Sequence, residues 1–64
     1  MAGNNDSNQK KQILVVEDDK FIARAYRDAL ERIGYTVEVA YDGYEALDKL
    51  KLMEPNLILL DLIM

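Results

Sequence analysis

Two short, unbroken apolar runs, Ile13-Leu14-Val15-Val16 and Leu57-Ile58-Leu59-Leu60, each close on carboxylates, Glu17-Asp18-Asp19 after the first and Asp61 after the second. Runs of this length suit strands covered on both faces, which is the habit of parallel sheets. Parallel neighbours need a crossover element between them, and the intervening residues supply two. Ile22, Ala25, Tyr26, Ala29, Leu30 and Ile33 recur at helical spacing and predict an apolar stripe. Arg24, Arg27, Asp28 and Glu31 fall outside it, with Arg27–Glu31 and Asp28–Arg32 placed for exposed ion pairs one turn apart. Asp19 is placed to cap the amides of this helix. Gly34 is placed to end it, because a left-handed backbone costs glycine least. Thr36-Val37-Glu38-Val39-Ala40 alternates, as does a strand with one wet face or at a sheet edge. Asp42 followed by Glu45 has the pattern of a capping box. Ala46, Leu47, Leu50 and Met53 then form a second stripe, which Pro55 stops.

The order β-α-β-α-β implies right-handed crossovers and a parallel sheet. With the two apolar runs central and the alternating strand peripheral, the predicted strand order is 2-1-3. This is an α/β fold, a truncated flavodoxin-like doubly wound parallel sheet whose switch point lies between strands one and three. Strand three is expected to need a further neighbour. Its bare edge would invite self-association, two copies joining edges about a two-fold axis.

The 64 residues include no cysteine and no histidine, so disulfides, Cys/His zinc sites and Cys/His nucleophile pairs are excluded. Residues 1–12 are polar and predicted to be a flexible tail, leaving residues 13–64 for the core. A core of that size rarely supplies more than about 3–5 kcal/mol. The net charge is −4 and the basic residues read as scattered, against a nucleic-acid surface. No apolar stretch approaches the ~20 residues of a membrane span, and residues 1–12 lack the apolar segment of a secretory signal. The expected compartment is the cytoplasm.

Adjacent parallel strands lie about 4.8 Å apart, so Glu17, Asp18 and Asp61 should converge at the carboxyl ends of strands one and three, where open α/β sheets bind ligands. Like charges so gathered force a proton onto one of them unless a cation intervenes. Mg²⁺ suits one or two carboxylates together with phosphate oxygens. Taken as residues alone, a Mg²⁺-dependent phosphoryl site and a plain combination of helix cap and strand end stand level. Neither G-x-G-x-x-G nor G-x-x-x-x-G-K-[ST] occurs, which removes the common nucleotide-binding loops.

Three segments add a pattern: I-L-V-V-E-D-D at 13–19, A-Y-D-G-Y-E-A-L at 40–47 and P-N-L-I-L-L-D-L-I-M at 55–64. In this order and spacing they closely resemble the N-terminal half of the receiver domain of two-component response regulators. The resemblance implies a phosphoacceptor signalling domain and not an enzyme. It assigns Asp61 as the phosphoacceptor and as a Mg²⁺ ligand, with Asp18 a direct ligand, Glu17 acting through water, and the backbone carbonyl of Ile63 completing the set. It makes Asp19 a cap, and Asp42 and Gly43 a structural turn. The implied partner is a histidine kinase or phosphotransfer protein, with no nucleic acid and no membrane engaged by this segment. The family's switch Ser/Thr, its aromatic residue and its lysine are expected beyond Met64, and neither Lys20 nor Lys49 is expected to replace that lysine. A small phosphodonor should therefore label this chain far less than a full-length parent. The alternative is an inactive half-receiver that self-associates through its third strand. A haloacid-dehalogenase-like hydrolase would need a second acid two residues after Asp61, where Ile63 stands.

Overall fold

The computed structural model describes residues 10–61; most of the predicted tail, and Ile63, lie outside the described residues. The chain runs β1 (Gln12–Val16), α1 (Lys20–Ile33), β2 (Thr36–Ala40), α2 (Gly43–Leu50) and β3 (Leu57–Leu60). The sheet is parallel throughout, in the order β2-β1-β3. This is the predicted α/β architecture and strand order. β1 begins one residue earlier than the apolar run because side chain and backbone both recruit Gln12. Its N–H donates to Asn56 Oδ1 at 2.8 Å, and its carbonyl accepts the Asn56 N–H at 2.8 Å. Asn56 thereby clamps the start of β3 to the start of β1.

Strand alternation divides the core in two. Ile13, Val15 and Val37 face α1, with Tyr26, Leu30 and Leu59 packed against them. Leu14, Val16 and Ala40 face α2, with Ala46 and Met53. All four residues of the β1 run are buried, as a strand covered on both faces requires.

The caps follow the sequence. Asp19 Oδ1 accepts from the N–H groups of Phe21 and Ile22. Gly34 ends α1 at φ 119°, a left-handed geometry that glycine adopts without strain. Asp42 caps α2 through the Glu45 N–H, while Glu45 Oε1 reaches back past Asp42 to the Tyr41 N–H, one residue beyond the partner of a standard capping box.

Four expectations need correction. β3 is not covered on both faces: Leu57, Ile58 and Leu60 are 55%, 45% and 64% exposed, because among the described elements β3 meets only β1. The α1 stripe is wider than the surface beneath it. Ala23 is buried, Ile22, Tyr26 and Leu30 are half-buried, and Ala25, Ala29 and Ile33 are exposed. α2 ends at Leu50, before Pro55 can act, because Lys51 and Leu52 turn back onto the carbonyls of Asp48 and Lys49. Finally, neither Arg27–Glu31 nor Asp28–Arg32 closes. The ion pairs among the described residues are Lys49–Glu38 at 3.2 Å and Lys51–Asp48 at 3.5 Å, both solvent-facing and worth little.

Candidate functional site

The sheet register itself brings two acids together. Val16 pairs with Leu60, so the next residues along, Glu17 and Asp61, stand side by side just past the strand ends. Their backbones are fixed by the two ladders that meet at β1. The Glu17 N–H donates to the Ala40 carbonyl at 2.9 Å and the Asp61 N–H to the Val16 carbonyl at 3.0 Å. Alternation then puts both on the face that carries Val15 and Leu59, the α1 face. Tyr26, projecting from α1, donates its hydroxyl to Asp61 Oδ2 at 2.6 Å.

Glu17 is fully buried. Its Oε2 accepts the Asp19 N–H at 2.9 Å, whereas Oε1 has no hydrogen-bond partner. The Asp19 amide draws the Glu17 pKa down. Burial, then the neighbouring Asp18 and Asp61 carboxyls, push it up by more, so that the Glu17 pKa lies above its ordinary value. The Tyr26 hydroxyl is likewise raised, first by its bond to Asp61 and then by the negative charge of Asp61. A buried acid with an unsatisfied oxygen beside another acid is costly unless a proton or a cation joins them.

Asp18 is exposed at the rim, next to Glu17. Among the described residues no three acidic side chains are gathered tightly enough to enclose a metal ion. The structure thus pairs Glu17 with Asp61 and leaves Asp18 beside them, and Ile63 lies outside the described residues. The donor set is nonetheless all hard oxygen, and the unpartnered Glu17 Oε1 is the kind of atom a hard divalent cation satisfies. Glu17 and Asp61 are thus donors of the kind that Mg²⁺ takes, and Asp18 adjoins them.

Lys20 and Lys49 are both engaged elsewhere. Lys20 Nζ lies 5.5 Å from the centre of the Tyr41 ring, and Lys49 pairs with Glu38. Lys20, Arg24 and Arg27 share a hollow of about 200 Å³ with Phe21, Val39 and Tyr41, so these basic residues are less scattered than they read in the sequence. No helix among the described residues is long and apolar enough to cross a membrane.

Two site contributors were not singled out from sequence. Tyr26 was read only as core, although a tyrosine in an apolar stripe carries a hydroxyl that needs a partner. Asn56 draws no attention in the sequence, although its two bonds to Gln12 lock the register that aligns Asp61 with Glu17.

Comparison with known proteins shows the family. Residues 13–64 match the family described as the response regulator receiver domain. The chain is 49% identical over 55 residues to a probable transcriptional regulator, ycf27, of Cyanophora paradoxa, covering 86% of this chain and 23% of that protein. It is 48% identical over 56 residues to the ycf27 protein of Porphyridium aerugineum, covering 88% and 23%. It is 43% identical over 53 residues to the response regulator MprA of Mycobacterium tuberculosis, covering 83% and 23%. The chain thus spans under a quarter of the length of these relatives. No solved structure gives a significant match.

Proposed function

The chain belongs to the response regulator receiver domain family, and from that premise we propose that Asp61 accepts a phosphoryl group from a phosphohistidine on a partner kinase or phosphotransfer protein, in the cytoplasm. The observation that carries this reading is the buried Glu17 carboxyl, one oxygen unpartnered, aligned by sheet register with Asp61. Glu17, Asp18 and Asp61 would hold Mg²⁺, with the Ile63 carbonyl added by family resemblance. When bound, the ion supplies positive charge that offsets repulsion between an anionic nucleophile and an anionic donor. The chain's own work is positioning. The backbone of Asp61 is pinned to Val16, and burial beneath α1 keeps Glu17 out of water. An Asp61 carboxylate oxygen forms a bond to phosphorus as the bond from phosphorus to the histidine nitrogen breaks. The electron pair leaves with the imidazole, and an acyl phosphate remains on Asp61.

Acetyl phosphate tests this, with acetate as the leaving group. Slow labelling of Asp61 is expected in Mg²⁺, reversed by hydroxylamine, and lost on chelation or in Asp18→Ala. Label on another residue, or label indifferent to Mg²⁺, would count against the reading.

The exposed β3 edge favours a second reading, in which two copies pair β3 to β3. Sedimentation should then show mass rising with concentration; a monomer at every concentration would remove it.

A further inference from the structure

We infer that Tyr26 is a positioning residue for Asp61: its hydroxyl anchors one carboxylate oxygen and so leaves the other free for the incoming cation or phosphoryl group. The consequence for chemistry rests on the phosphoacceptor reading above; the anchoring stands on geometry alone. The contact, 2.6 Å from Tyr26 Oη to Asp61 Oδ2, is in the short range of hydroxyl–carboxylate bonds. The donor is held rigidly. Its ring packs against the Ile13, Val15 and Val37 cluster that also takes in Leu59, so the hydroxyl projects from a fixed platform and not from a mobile surface chain. The acceptor's backbone is equally fixed, by the Asp61 N–H bond to Val16. What remains free in Asp61 is rotation of its side chain, and the hydroxyl removes that freedom. The bond also spans the sheet and the helix, joining a residue just past β3 to one inside α1.

A carboxylate that must present one oxygen in a fixed direction benefits from having the other tied, since misorientation by even about 1 Å slows a positioned reaction by orders of magnitude. Hydrogen-bond partners that orient metal ligands typically carry about 10- to 100-fold in metal affinity. Tyr26 contributes nothing to the bond-making step and touches neither donor nor metal by itself.

Tyr26→Phe keeps the ring and its packing and removes only the hydroxyl. With the aspartate carboxyl carbons ¹³C-labelled, the Asp61 resonance of the metal-free chain should shift and broaden in Tyr26→Phe, while the Val15 and Leu59 methyl resonances stay in place. In a Mg²⁺ titration of the same samples, half-saturation should rise about tenfold. An Asp61 resonance unchanged by the substitution overturns the anchoring, whatever the metal does. A wild-type chain whose Asp61 resonance ignores Mg²⁺ would instead overturn the cation-site reading, and the metal-free spectra would still decide the role of Tyr26.

Discussion

Asp61→Asn should abolish labelling by acetyl phosphate while leaving a folded chain. An amide oxygen is a far weaker nucleophile than a carboxylate oxygen, and among the described residues no other acid is aligned with the buried Glu17 by the sheet register. The fold should tolerate the change for two reasons. Asparagine is nearly isosteric, and its side-chain oxygen can still accept the Tyr26 hydroxyl. It also removes one of the two neighbouring carboxyls that raise the Glu17 pKa, so the metal-free variant should melt no lower than the wild type. Intact-mass analysis after incubation, beside a thermal melt, reads both halves. Undiminished labelling in the variant would mean that the phosphoryl group goes elsewhere.

Leu14→Ala should leave the chain largely unfolded. Leu14 lies in the middle of β1, fully buried against Val16, Ala40, Ala46 and Met53. Truncating a buried leucine costs about 2–5 kcal/mol, and a core of this size rarely provides more than about 3–5 kcal/mol in total. The control is Leu60→Ala on the edge strand. Leu60 is 64% exposed, so its truncation should fall near the ~0.5 kcal/mol scale of surface changes. Circular dichroism under urea compares the two. A Leu14→Ala midpoint close to that of Leu60→Ala would show that β1 is not the centre of the core.

How much of this was legible beforehand depended on what each pattern encodes. Strand order came from two apolar runs flanking an alternating one, and the caps came from Asp19, Gly34 and Asp42. All of these are local signals whose physics is complete within a few residues. The convergence of Glu17 and Asp61 was legible because register in a parallel sheet is a short extrapolation from strand ends. The extent of burial was not legible. Periodicity marks which residues could be covered, and only the neighbours present decide which are, as Ile33 at 71% exposure and the open β3 demonstrate. The end of α2 was also misplaced, because Pro55 announces a stop but a backbone turn at Lys51 and Leu52 comes first. Tyr26 was hidden by its own dual nature. Helical spacing accounts for the ring, and nothing in the one-dimensional pattern says that the hydroxyl, lying over the sheet, meets a residue 35 positions away.

The central claim is that a divalent cation belongs at the carboxyl ends of β1 and β3. Mn²⁺ substituted for Mg²⁺ locates it directly, because the paramagnetic ion broadens the amide signals nearest to it. At low Mn²⁺ the signals of Glu17, Asp18 and Asp61 should vanish first, while those around Asp28, Glu31 and Asp48 persist. Broadening centred on those outer acids, or spread evenly over the acidic surface, would contradict the claim.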